Sequence, residues 1–385
     1  MDYFLTEEQQ MIKDLARQIA EEKVAPIAAE CDETGRFPRE VFQTMGKADL
    51  FRVFVPEEYG GLGGGVFELC LVIEEISRAC GGTVLGYAAT GLGVFPIILY
   101  GNAEQKEKYL PRLADGEIIG AFALTEAEAG SDAGNVQAKA ELDGDEYVLN
   151  GTKQWITNAG EADLYVVIAT TDRKKGVRGL SAFIVEKDTP GLSFGKEEDK
   201  MGVRASATRE VILQDCRIPK ENLLGGEGKG FRIAMRTLDM ARPGVGAQAV
   251  GIAQGALEMA LQYARERVQF GKAISSFQGV QFMLADMATQ IEAARALVYA
   301  TARALDSGRA SGKESAMAKL FASDMAMQVT SDAIQIMGGY GYMREYPAEK
   351  RLRDAKVTQI YEGTNQIQRL VIANHLLKEW AAERK

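Results

Sequence analysis

The chain runs to 385 residues yet holds one histidine, His375. That scarcity excludes most histidine-based zinc sites, and no Ser or Cys nucleophile motif accompanies it to suggest a Ser-His-Asp triad. His375 reads as a surface or packing residue in a helical stretch. The four cysteines, Cys31, Cys70, Cys80 and Cys216, include no close-spaced pair of the metal-binding or redox kind. No metal site is expected, so the chemistry must rest on carboxylates, backbone donors or a cofactor. Positive charge is also short: 45 Lys and Arg against 54 Asp and Glu give a net charge of -9. This argues against a nucleic-acid or anionic-membrane partner. Met1-Asp2-Tyr3 begins no secretory or transit pattern, so a cytoplasmic location is the expectation. No glycine-rich loop has the G-x-G-x-x-G spacing between a strand and a helix, and a nicotinamide-binding Rossmann domain is not supported.

One stretch, 81–102, has no charge and is long enough to span a membrane. Its six glycines, Pro96 and two threonines, with no basic flank, instead suggest a buried helix or pocket wall. The whole chain is too long for one ordinary core. Residues 1–118 read as helical: Thr6 and Gln9 form a capping-box pattern, Met11, Leu15 and Ile19 make an apolar stripe, and Pro26 should end that helix. Residues 119–226 change period. Strands are expected at 147–151, entering an Asn150-Gly151 turn, and at 164–168, 181–185 and 210–213. With no helices between them, an antiparallel β domain is expected. Residues 227–385 return to helical periodicity, over about 230–267, 277–308, 313–339, 345–354 and 358–380, enough for a four-helix bundle. The fold class is therefore α+β: helical domain, antiparallel β domain, helical bundle.

The organising stretch is 354–369, DAKVTQIYEGTNQIQR. Val357, Ile360 and Tyr361 approach Glu362 with helical spacing, and Ile367, Leu370 and Val371 continue the face. A Glu on the apolar side of a helix is costly unless paired, neutral or functional. Desolvation would raise its pKa towards the range of a general base, and Gly363 beside it admits a close-approaching ligand. Capping or surface pairing is the other reading of the same Glu.

Three further stretches stand with it. They are 122–132 (FALTEAEAGSD) with 153–158 (KQWITN), 267–272 (RVQFGK), and 335–342 (QIMGGYGY). Each alone passes for turn or helix-end sequence; together with Tyr361-Glu362-Gly363-Thr364 the set resembles the acyl-CoA dehydrogenase family over nearly the whole chain. The likeness is nearest the short-chain, butyryl-CoA group, through 200–204 (KMGVR) and 237–239 (TLD).

The resemblance implies an FAD-dependent enzyme that converts an acyl-CoA to the 2-enoyl-CoA within fatty-acid β-oxidation and passes electrons to an electron-transfer flavoprotein. A homotetramer is implied as well. Phe122, Leu124, Thr125 and Ser131 match the loop along the flavin, with Ser131 also at the pantetheine arm. Trp155, Ile156 and Thr157 match the segment on the isoalloxazine ring. Arg267, Phe270, Gln278, Gln335, Ile336, Gly338 and Gly339 match positions holding the pyrophosphate and adenosine across a subunit contact. Thr364, Asn365 and Gln366 match further flavin contacts. Asp239, Met240 and Arg242, with Tyr361 and Gly363, match the substrate-binding stretch. Glu362 matches the base, taking the α-proton while the β-hydride leaves for flavin N5. In some relatives the base sits at the place of Ala241, which cannot serve. Tyr87, Thr90, Leu92 and Phe95 should line the acyl pocket, and the absence of Arg or Lys in their segment favours a neutral acyl group. Pro243 should kink its helix. A branched or alicyclic substrate, reduction of an enoyl-CoA in the reverse direction, and an oxidase are the alternatives.

Overall fold

The computed structural model describes residues 3–384; Met1 and Asp2, where the reading of the N-terminus begins, and Lys385 lie outside the described residues. The N-terminal helices are α1 (Glu7–Ile19), α2 (Ala28–Thr34), α3 (Arg39–Lys47), α4 (Val66–Ala79), α5 (Val84–Tyr100) and α6 (Ala103–Ala114). Thr6 caps α1 with the expected box to Gln9. The apolar stripe is used only in part: Ala16 and Ile19 are buried, whereas Met11 is 70% exposed. Pro26 does not stop the helical path. It sits in a 3-10 turn, at a position whose N–H needs no partner, and the chain proceeds into α2. The uncharged segment becomes α5, buried on nearly all sides. No helix among the described residues is long and apolar enough to cross a membrane.

The middle domain is a sheet of β1 (Gly120–Ala123), β2 (Lys139–Asp143), β3 (Glu146–Thr157), β4 (Leu164–Thr170), β5 (Leu180–Glu186), β6 (Leu192–Phe194), β7 (Thr208–Pro219) and β8 (Leu223–Leu224). Its order is β6-β7-β3-β2-β4-β5-β8, with β1 added beside β4. Most pairings are antiparallel, but β1 and β4 run parallel, and β2 meets β4 in parallel at Lys139 and Thr170. The β2–β3 hairpin lies between β1 and β4 in sequence, a connection long enough for parallel pairing. Asn150-Gly151 is not a turn. It lies within β3 at a register shift, where a Cβ on Gly151 would meet Ala138 at 2.6 Å and the Asn150 side chain instead accepts from Asp215 N.

The C-terminal helical domain contains α7 (Gly230–Glu266), the short hairpin β9 (Val268–Gln269) and β10 (Lys272–Ala273), α8 (Gln278–Asp306), α9 (Gly312–Met337), α10 (Ala348–Thr358) and α11 (Asn365–Ala382). α9 packs against α7, α8, α10 and α11. α7 continues as one helix across Pro243. The expected helix over 358–380 begins late: residues 359–364 form a turn between α10 and α11, and Glu362 sits in it.

Candidate active site

The three domains meet around a cavity of about 420 Å³. α4 and α5 supply Leu69, Leu85 and Phe95; the sheet supplies Phe122, Trp155 and Thr157; α7 and the turn before α11 supply Arg242, Tyr361, Glu362 and Gly363.

Glu362 is on no helix face. It adopts a left-handed backbone conformation at φ +53°, followed by Gly363 at +93°. A non-glycine residue there costs of order 1–3 kcal/mol, so neighbours must hold it. Arg242 Nε donates to the Glu362 carbonyl at 3.2 Å, and Gln368 Nε2 donates to the carbonyls of Glu362 at 3.1 Å and Gly363 at 2.9 Å. Lys319 Nζ donates to the Gly363 carbonyl at 2.9 Å and to Asn365 Oδ1 at 2.8 Å. Thr364 then caps α11 by accepting from Ile367 N. With the backbone thus fixed, Glu362 Oε2 is buried without a hydrogen-bond partner among the described residues. Burial pushes the carboxyl up to about 7, and the nearby Arg242 and Lys319 charges oppose that rise. The N–H of Glu362 is taken by no carbonyl among the described residues and is free to donate.

The facing wall comes from an irregularity in β3. Between Lys153 and Ile156 this strand advances three residues while β7 advances two, from Val211 to Arg209. The bulge places Trp155 at φ +56° and leaves the residue 60% exposed. Lys153, fully buried, holds the neighbouring loop: Nζ meets Glu126 Oε1 at 2.7 Å and the Leu124 carbonyl at 3.0 Å. Glu126 also accepts from Gln137 N and Ala138 N. The clasp brings Phe122, Leu124 and Thr125 beside Trp155, Ile156 and Thr157 in one cavity wall, with Ser131 at its edge. An exposed indole, flanking apolar side chains and three hydroxyls fit a planar heteroaromatic ring that carries polar edges.

Not every expected residue reaches this cavity. Tyr87 and Thr90 point into the core instead: Tyr87 Oη donates to the Leu50 carbonyl at 2.7 Å, and Thr90 Oγ1 to the Gly86 carbonyl at 2.9 Å. The opposite face of α5, with Leu85, Ala88, Ala89, Leu92 and Phe95, lines the cavity. Asn365 turns inward to Lys319, Ser323 and Asp324, so its side chain is spent holding the turn; Gln366 is exposed on α11. Asp239 reaches the site through its 2.9 Å pair with Arg242, and Met240 packs partly buried against the core. Arg267, Ile336, Gly338 and Gly339 line a second, open cavity of about 570 Å³. Phe270 stands 92% exposed near it in sequence, and Gln278 and Gln335 lie on the surface. Sequence reasoning missed Lys319, Gln368, Lys153 and Glu126. The signal for Lys319 was present: it replaces an apolar residue in the buried stripe that runs through Ala316, Ala322 and Ala326.

Three domains closing on one cavity with a buried carboxyl define a three-domain enzyme-like architecture, and comparison with known proteins gives the family: the chain belongs to the acyl-CoA dehydrogenase family. Models for the N-terminal, middle and C-terminal domains of acyl-CoA dehydrogenase match residues 6–117, 121–216 and 228–377. The chain is 52% identical to the acryloyl-CoA reductase (NADH) of Anaerotignum propionicum, covering 98% of this chain and 96% of that one. Butyryl-CoA dehydrogenase from Megasphaera elsdenii superposes with a TM-score of 0.96 at 47% identity, covering 98% and 100% of the two chains. A chain from structural work on the electron transferring flavoprotein of Acidaminococcus fermentans and flavin-based electron bifurcation gives a TM-score of 0.96 at 54% identity, with the same coverage. An acyl-CoA dehydrogenase complexed with FAD from Bacillus anthracis gives 0.93 at 39% identity, covering 99% of this chain and 69% of that one.

Proposed function

We propose that the protein dehydrogenates a neutral short- or medium-chain acyl-CoA to its 2-enoyl-CoA, with Glu362 as the base and FAD as cofactor. The observation that carries this reading is the unpartnered Glu362 carboxyl, held in a strained turn opposite the Trp155–Thr157 wall. FAD, when bound, supplies the acceptor for the β-hydride. The flavin would be held by the Phe122–Thr125 and Trp155–Thr157 segments.

The remaining work falls to the chain's own residues. A thioester α-proton is a weak acid, so the carbonyl must be polarised as charge develops; the N–H of Glu362, which no backbone carbonyl takes up among the described residues, would donate there. Glu362 then takes the α-proton, helped by a carboxyl already near neutrality in its apolar surroundings. Leu69, Ile73, Leu85, Ala89 and Phe95 keep water from the acyl chain. Arg242 is the one Arg or Lys among the described residues lining the cavity, and it is committed to Asp239 and the Glu362 carbonyl. No cation is therefore left for a distal carboxylate, which supports a neutral acyl group.

The similar chain from work on an electron transferring flavoprotein supports such a protein as electron acceptor. Apolar side chains exposed on α8 and α11, including Phe282, Leu377 and Trp380, support a homotetramer, with Arg267, Gln335 and Gly338 serving a neighbour's cofactor. A second reading, reduction of an enoyl-CoA, is favoured by the 52% identical acryloyl-CoA reductase. The test is loss of flavin absorbance across straight, branched and alicyclic acyl-CoAs, with and without an electron-transfer flavoprotein. Straight neutral chains should bleach the flavin. Glu362→Gln should retain the cofactor and lose bleaching by about a thousandfold. A colourless protein that takes up no FAD, or a Gln variant of normal rate, overturns the reading.

A further inference from the structure

Among the groups that hold the Glu362 turn, one is a buried cation with no ion-pair partner among the described residues. Lys319 is fully buried on α9, 43 positions before the base, and no carboxylate forms an ion pair with it among the described residues. Its hydrogen bonds go to neutral acceptors, the Gly363 carbonyl within the base turn and Asn365 Oδ1 just after it. A buried ammonium spent on two amide oxygens is expensive to maintain. Packing alone would be better served by Met or Leu at this position.

Resting on the assignment of Glu362 as base, we propose that Lys319 is a positioning residue that locks the left-handed base turn and biases Glu362 toward its ionised form. Geometry separates its role from that of Arg242. Arg242 grips the Glu362 carbonyl from α7 and is neutralised by Asp239, whereas Lys319 grips the next carbonyl from α9. Gln368 bridges both carbonyls from α11. Three helices thus converge on two peptide units, and Lys319 is the clamp with no anion of its own.

The charged and titratable groups around the pair are few. α7 contributes Arg242 and Asp239. α9 contributes Asp324, which pairs with Arg369 of α11 at 3.0 Å. The turn itself contributes Tyr361, whose hydroxyl donates to Gln248, and α10 contributes Asp354, which is occupied by Lys350. Burial draws Lys319 down to about 7, with the Glu362 charge opposing that fall. The two groups therefore titrate over the same range, and each favours the charged form of the other.

The experiment compares the holoenzyme with Lys319→Met and Lys319→Gln, following flavin bleaching by a saturating acyl-CoA from pH 6 to pH 9.5. In Lys319→Met the acidic limb of the rate profile should move up by about one pH unit, and the plateau should fall as well. Lys319→Gln keeps a donor without the charge; the limb should move equally, with a smaller plateau loss. A uniform loss at every pH with an unmoved limb, in either variant, would mean that Lys319 is structural only and would overturn the proposal. If Lys319→Met does not fold, the position of the limb in Lys319→Gln decides between the two outcomes. Infrared titration of the Glu362 carboxyl, as the difference from Glu362→Gln, reads the shift without turnover. An unshifted carboxyl sinks the Lys319 proposal even if no acyl-CoA bleaches the wild type, while a shifted carboxyl in a protein inert to every thioester sinks only the functional reading.

Discussion

On the proposed assignment, Glu362 trades stability for reactivity. Its carboxyl is raised from 4.5 to about 7 by burial. Because the folded state binds this proton more tightly than the unfolded chain, stability should fall as pH rises from about 4.5 through 7, and the ionised base then sits where it is least welcome. Activity has the opposite sense: the rate should climb with pH through about 7, as the carboxylate forms. Glu362→Gln should thus be catalytically dead yet melt at or above the wild-type temperature at pH 8, with that advantage shrinking toward pH 5. Calorimetry at the two pH values checks it. A melting point well below wild type at pH 8 would mean that the carboxylate has a stabilising partner after all.

Among the elements, the bulged end of β3 depends on the Lys153–Glu126 clasp. Lys153→Met would leave Glu126 as a buried carboxylate facing only two backbone N–H groups. The expected cost is about 3–5 kcal/mol, seen as a lower denaturant midpoint, together with faster loss of bound flavin. Lys153→Met with Glu126→Leu should recover much of the stability, since an apolar pair of similar volume leaves no charge stranded. At this scale the limits of the sequence are clearest. The long helices were legible because their apolar positions recur at helical spacing over many turns. The break at 359–364 was not, because Val357, Ile360, Tyr361 and Ile367 keep that spacing straight through it. What interrupts the helix is a grip from Arg242 and Lys319, residues 120 and 43 positions away in sequence. Tyr87 and Thr90 were misplaced for a related reason: α5 is apolar nearly all round, so no periodicity tells its cavity side from its core side. The β3 bulge was equally hidden, since Trp155 stands where a regular strand would also carry an aromatic.

At the scale of the whole molecule, the C-terminal domain exposes several large apolar side chains. Phe270 is 92% exposed, and Phe282, Leu370, Leu377 and Trp380 each exceed 55%. A lone chain would keep so much apolar surface in water only at a cost to solubility. Sedimentation should therefore find an assembly rather than a monomer. Phe270→Asp should shift it to smaller species and, if the second cavity serves a neighbour's cofactor, lower the FAD content per chain. A variant that stays assembled with full FAD content would remove Phe270 from any interface. The three-domain arrangement itself was readable, because each domain has its own period and the changes of period fall near residues 120 and 226.

α11 has only Asn365 and Gln368 buried, and it leans mainly on α9. Those two residues are also the C-terminal moorings of the base turn. On the proposed reading, any displacement of α11 would therefore reach the Glu362 turn through these two side chains.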